Sequence, residues 1–268
     1  MKTRVISAAA GLALFILIVY AAPSWAAVAA FCLICAIAAY EALHNTHVLE
    51  KGLPLWLCCL AAFCLPAATA YDAAYLLPLL YAFSLALFLW AVLHPQQITF
   101  EQIAQCYLGA FVLPFLLSGV LRILVQYEKG RLYVLAPFLA AWCCDSFAQI
   151  TGILFGKRKL IPQVSPKKTV EGSAGGLLGG VAGLLIYGFI AGRWFGGHPN
   201  YSLLAIGGLA GSLAGMLGDL AMSLLKRKSG IKDYGNIMPG HGGILDRFDS
   251  VLFTAPLFEL LFRFTNIL

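Results

Sequence analysis

Asp219, Ser223, Lys226 and Arg227 follow one another at steps of four, three and one residue, which puts a carboxylate, a hydroxyl and two cations on one face of a helix. Further on, Asp246 and Asp249 stand three apart and align two more carboxylates at the start of another apolar segment. Lys232, Asp233 and the run Gly240-His241-Gly242-Gly243 lie between them. Mg²⁺ favours carboxylate oxygens and completes its shell with water and substrate phosphates. Aspartates in two helices beside Lys and Arg therefore point to a metal-bound polyphosphate. Gly235, Gly240, Gly242 and Gly243 would let backbone N–H groups come close to an anion. His241 is placed to donate to a phosphate or a leaving group.

Upstream, Asp145 sits deep in the apolar stretch AWCCDSFAQITGILFG. A carboxylate at membrane depth is costly unless it is paired, faces a polar cavity or does chemistry. With Gln149, Gly152 and Gly156 it forms a polar and small-residue stripe on one helix face. Ser165-Pro166-Lys167-Lys168-Thr169 follows, where two ammonium groups between hydroxyls precede a helix start and can donate to phosphate oxygens. The same lysines would also serve as a membrane-orientation anchor. Gly172, Gly175, Gly176, Gly179 and Gly180 recur at helical spacing and read as a close-packing face rather than a phosphate loop. In the first half the polar features are few: Glu41, the pair His44 and His47, read as interfacial rather than metal-binding, and Asp72.

The elements that must carry these groups are membrane helices. Only 11 % of the 268 residues are charged and the mean hydropathy is +0.85, whereas about a quarter of residues are charged in soluble domains. About 20 apolar residues span a bilayer as helix. Segments of that kind fall near 5–22, 24–43, 53–70, 74–93, 103–126, 132–156, 174–192, 201–225 and 248–266. The runs are continuous, not alternating, which excludes a membrane β-barrel. The expectation is an all-α, polytopic helical bundle of about nine transmembrane helices, one membrane domain over residues 1–268. Helices up to residue 130 form a scaffold, and residues 131–268 carry the chemistry with loops 157–173 and 226–247.

The basic, apolar N-terminus reads as a retained first helix rather than a cleaved signal. Starting it in the cytoplasm assigns thirteen Lys and Arg residues to the cytoplasmic side and five to the other, the bias that orients membrane proteins. Both basic loops then face the cytoplasm. The net charge of +6 is largely this orientation signal, and its remainder suits anionic lipid or phosphate, not nucleic acid. All eight cysteines lie in apolar segments and read as small buried hydrophobes.

The stretch SLLKRKSGIKDYGNIMPGHGGILDRFD, Ser223 to Asp249, resembles the signature of the phosphatidate cytidylyltransferases, and VSPKKTVEG resembles that family's S-P-K-K-T-x-E-G loop. MKTRVISA at the start is also similar. One region departs: Asp145-Ser146-Phe147-Ala148-Gln149 stands where the family has Asp-Thr-x-Ala-Tyr. The resemblance implies Mg²⁺-dependent transfer of CMP from CTP to phosphatidic acid at a bacterial inner membrane, with release of pyrophosphate. It implies that Asp219 and Asp246, with Asp249, hold the metal. Lys167, Lys168, Lys226, Arg227 and Lys232 would neutralise the triphosphate and the lipid phosphate. Ser223 would hydrogen-bond, Ser165, Asp145 and Asp233 would contact substrate, and His241 would assist catalysis. A second, monovalent cation and a homodimer are allowed by the same resemblance.

Two other functions fit parts of the pattern. A CTP-dependent kinase or transferase acting on an isoprenoid or other membrane lipid would use similar loops. A transporter for an anionic solute would place its charges near the bilayer midplane, whereas here they gather at one face with Asp145 the main exception.

Overall fold

The computed structural model describes residues 10–196, 198–238, 240, 242–265 and 267, and among them it is all-α apart from one short hairpin. Seven helices are long and apolar enough to cross a membrane: α2 (Ser24–Leu43), α3 (Leu53–Tyr71), α4 (Ala73–Leu93), α5 (Phe100–Gln126), α6 (Gly130–Phe155), α7 (Val170–Trp194) and α8 (Tyr201–Lys228). The protein is an integral membrane protein. Two further apolar helices are shorter within the described residues: α1 (Ala10–Ala21), and α10 (Val251–Phe264), which follows the single-turn α9 (Leu245–Phe248).

Among the described residues, seven of the nine expected segments are helices of full spanning length. At 1.5 Å per residue the 14 residues of α10 reach only about 21 Å, short of a core of about 30 Å. The expected segment 248–266 is cut at its start because the chain turns at Asp249 and Ser250. The first five residues of the expected 5–22 segment lie outside the described residues. Two other boundaries also move. Thr99 and Gln102 form a reciprocal capping box that starts α5 at Phe100, ahead of the expected 103–126 segment. The loop expected at 157–173 contains an antiparallel hairpin, β1 (Lys159–Ile161) with β2 (Ser165–Thr169), pairing Lys159 with Thr169 and Ile161 with Ser165.

Two compact units divide the chain, Met1–Glu128 with Lys228–Phe248, and Lys129–Arg227 with Asp249–Leu268. The 228–248 loop therefore belongs with the first helices. In the first unit α2, α3 and α5 pack around Leu43, Leu55, Cys58, Leu65 and Cys106, all fully buried. Gln126 closes α5 onto the end of α3, donating to the carbonyls of Thr69 and Ala70 at 3.0 and 3.2 Å. A π-turn at Leu108–Val112 precedes Pro114, whose missing N–H and ring disfavour a regular α-turn. Gly109 on that turn sits where a Cβ would come 2.8 Å from Leu43 Cγ. α4 turns Leu77, Tyr81, Leu85, Leu89 and Val92 outward, as a lipid-facing helix does.

In the second unit the glycine face of α7 lies against α6. A Cβ at Gly175 would stand 2.2 Å from Thr151 Oγ1, at Gly176 2.9 Å from the Cys144 carbonyl, and at Gly179 2.4 Å from Phe147 Cβ. The close-packing reading of these glycines is borne out: the helices approach to backbone contact because nothing projects between them. α8 does the same, Gly208 against Val181, Gly211 against Phe258, and Gly218 against the Asp249 carbonyl.

Candidate active site

The hairpin that carries the lysines is fixed at both ends. Thr169 caps α7, its Oγ1 accepting the Gly172 N–H at 3.1 Å. Glu171, in the first turn of α7, accepts the N–H groups of Lys157 at 3.0 Å and Arg158 at 3.2 Å. The chain leaving α6 is thereby clipped to the start of α7, and Ser165, Lys167 and Lys168 are held between the two helices.

They line a cavity of about 560 Å³ together with Asp145, Gln149, Thr169, Ser173 and Asp219. Five residues singled out in the sequence, Asp145, Ser165, Lys167, Lys168 and Asp219, therefore meet in one place although they come from α6, β2 and α8. Lys168 Nζ lies 2.5 Å from Asp219 Oδ2, with both side chains about three-quarters shielded from solvent. Ser223, one turn along α8, donates to Asp219 Oδ1 at 3.3 Å, so the predicted polar face of that helix exists. Lys226 on the same face is buried and Arg227 is exposed.

Ser250 ties the acidic side of the site together, and the sequence reading passed over it. Its hydroxyl donates to Asp145 Oδ2 at 3.0 Å and its backbone N–H to Asp249 Oδ1 at 2.8 Å. Asp219 acts electrostatically on both Asp145 and Asp249, and Lys226 on Asp249. Three carboxylates thus share a neighbourhood with two ammonium groups. A hydroxyl directly after a candidate metal-binding Asp was the available signal for Ser250. Gln149, the departure from the family pattern, does line the cavity.

Among the described residues no group of three or more His, Cys, Asp or Glu side chains is placed to hold a metal ion by itself. Mg²⁺ seldom receives such a cage; one or two carboxylates plus phosphates and water suffice. The all-oxygen pair Asp219 and Asp249 is a donor set that this ion can use.

Lys232, Asp233 and Asp246 belong to the other unit, on a loop built around two carboxylates. Asp246, expected to align with Asp249 on a continuous helix, sits instead in α9, which ends before the turn at Asp249. Its Oδ2 accepts the N–H groups of Tyr234 at 2.7 Å and Gly243 at 2.9 Å. Glu41, buried near the end of α2, accepts those of Ile244 and Leu245, both at 3.0 Å. The amides expected to meet a phosphate are thus in part committed: the anions held by Gly243, Ile244 and Leu245 are the protein's own. Gly242, at φ +83°, turns the chain where a Cβ would fall 2.6 Å from Asp246 Oδ2. Lys232 and Asp233 are exposed on this loop. His241 lies outside the described residues. His44 Nδ1 bonds the Leu49 carbonyl at 3.1 Å, a turn contact in keeping with the interfacial reading.

A model of the cytidylyltransferase family matches residues 2–265 of the chain. Curated relatives named phosphatidate cytidylyltransferase are similar to it. The one from Staphylococcus epidermidis is 38 % identical over 182 residues, covering 68 % of this chain and 67 % of its own. That of Bacillus subtilis is 40 % identical over 177 residues, covering 66 % and 64 %. A Synechocystis relative is 44 % identical over 133 residues, covering 49 % and 43 %.

Proposed function

The chain belongs to the cytidylyltransferase family, and on that premise we propose that it transfers CMP from CTP to phosphatidic acid, yielding CDP-diacylglycerol and pyrophosphate. The observation that carries the reading is the cavity in which Lys167 and Lys168 face Asp145 and Asp219, cations for phosphate beside carboxylates for a metal.

In the proposed reaction an oxygen of the lipid phosphate forms a bond to the α-phosphorus of CTP while the bond from that phosphorus to the α–β bridging oxygen breaks. The attacking phosphate monoester, with a second pKa of about 6, is already largely ionised near neutral pH, so no general base is needed. Two anions must be brought together, and catalysis is positioning and charge neutralisation. Lys168 is held over the cavity by Asp219, so an entering phosphate meets an ammonium already in place. Lys167, exposed beside it, serves the outer phosphates or the lipid headgroup. Lys226 offsets negative charge next to Asp249, and Ser250 and Ser223 orient the Asp145 and Asp219 carboxylates.

Mg²⁺, held by Asp219 and Asp249, would neutralise charge on the phosphate oxygens. That Asp246 joins them rests on the sequence motif Asp246-Arg247-Phe248-Asp249. The second, monovalent cation, the homodimer, the bacterial inner membrane and the cytoplasmic placement of the basic loops are proposed from family likeness and from the Lys and Arg bias. Arg227, Lys232, Asp233 and His241 keep substrate-facing roles on the same footing.

The test is a micelle assay with phosphatidic acid, Mg²⁺ and CTP labelled at the α- or the γ-phosphate. Label in the lipid from the α-position, dependent on phosphatidic acid and removed by EDTA, is expected. Label from the γ-position would make the protein a kinase, and no label from folded protein would overturn the reading.

A further inference from the structure

We propose that Glu41 is a positioning residue for the reaction, acting from α2 by holding the loop that carries Lys232, Asp233 and Asp246. This rests on the proposed function for its catalytic consequence but not for its structural half. Glu41 is 1 % exposed, and an acid buried in an apolar helix is costly unless its oxygens are satisfied. Here each oxygen has one partner: Oε1 accepts the Ile244 N–H and Oε2 the Leu245 N–H, both at 3.0 Å. These two amides begin the turn of α9 immediately before Asp246.

The fit of the loop backbone around the carboxylate is also close. A Cβ at Gly243 would come 2.4 Å from Oε1 and 2.5 Å from Oε2, and one at Gly235 would come 2.6 Å from Oε1. The glycines of the loop are therefore required in part by Glu41. Asn45 lies in the turn that follows α2 and donates from Nδ2 to the Tyr234 carbonyl at 2.7 Å. Glu41 in α2 and Asn45 in the turn after it thus hold the loop at two places, Ile244–Leu245 and Tyr234. Tyr234, held by Asn45 through its carbonyl, donates its own N–H to Asp246. Asp246 is thus oriented by amides that α2 and the turn after it keep in place, as outer hydrogen bonds orient a functional carboxylate.

The experiment uses the full chain in detergent or nanodiscs. Hydrogen–deuterium exchange is followed in peptides covering residues 240–248 and, as internal reference, in peptides of α3, and kcat and KM for CTP are measured on the same preparations. For Glu41→Ala, exchange in 240–248 is expected to accelerate at least tenfold with α3 unchanged. The expected kinetic signature is a fall in kcat of tenfold or more with KM for CTP within threefold. Glu41→Gln keeps the volume and one acceptor oxygen, and should lie between wild type and Ala in both readouts. It also carries the test if the Ala variant does not fold, with exchange at least threefold faster expected. Unchanged exchange in 240–248 would overturn the structural half, and faster exchange with unchanged kcat would overturn the role in the reaction. Exchange requires no turnover, so a wild-type protein without cytidylyl transfer would refute the proposed function while leaving the hold of Glu41 on the loop measurable.

Discussion

Replacing Lys168 by Ala removes the ammonium that stands 2.5 Å from Asp219 Oδ2. The pair is not an ordinary surface ion pair, worth about 0–1 kcal/mol, because only 22 % and 25 % of the two side chains are exposed. Nor is it sealed, since the pair borders a cavity of about 560 Å³ that is not enclosed, and water entering it can partly replace a lost donor. Loss of one preorganised donor to developing charge costs about 2.7–4 kcal/mol. Partial replacement by water lowers the expected loss to about 2–3 kcal/mol, which at about 1.36 kcal/mol per factor of ten is roughly 30- to 150-fold in kcat/KM. The assay is the initial rate of lipid labelling from α-labelled CTP, on protein whose melting transition matches wild type. Lys157→Ala is the control. It removes a neighbouring exposed cation outside the cavity lining and should change the rate less than twofold. A change of less than threefold for Lys168→Ala would refute the idea that this ammonium meets the reacting phosphates.

Asp219→Asn and Asp249→Asn should each lower activity more than tenfold and raise the Mg²⁺ concentration needed for half-maximal rate; an unchanged Mg²⁺ titration would remove them as metal ligands. Ser250→Ala deletes one hydrogen bond to a carboxylate, about 1.5–3 kcal/mol, and a fall in kcat of at least fivefold is expected, checked by the same labelling assay. Gly179→Ala drives a Cβ to within 2.4 Å of Phe147 Cβ; overpacking of this kind costs about 1–3 kcal/mol and should appear as a lowered melting temperature in detergent.

The sequence was most readable where chemistry is concentrated in short stretches. Lys167 and Lys168 are adjacent, and Asp219 and Ser223 share a helix face, so local periodicity was enough to find them. Asp145 announced itself as a charge inside an apolar run. The glycine spacing of α7 likewise indicated a packing face before any partner was known. Ser250 was passed over because its significance lies in Asp145, 105 positions away. Glu41 was seen as a polar feature and no more, since its partners Ile244 and Leu245 are 203 and 204 positions distant and are backbone amides, which carry no signature in residue type. The hairpin escaped because Ser-Pro-Lys-Lys-Thr has no apolar alternation; the clip made by Glu171 and the cap made by Thr169 shape it instead.

The grip of α6 on α7 also bears on the order in which the site is assembled. Their contacts, and the hairpin between them, join residues near in sequence, and local contacts form early because they close short loops. During synthesis α6, the lysine hairpin and α7 can therefore associate while the rest of the chain is still being made. Asp249 and Ser250 come just ahead of the final helix and reach Asp145 only afterwards. Chains arrested after α7 should already protect the α6–hairpin–α7 segment from protease; complete susceptibility would count against this order. The lysine-bearing half of the pocket is then born first, and the acidic turn is the closing piece.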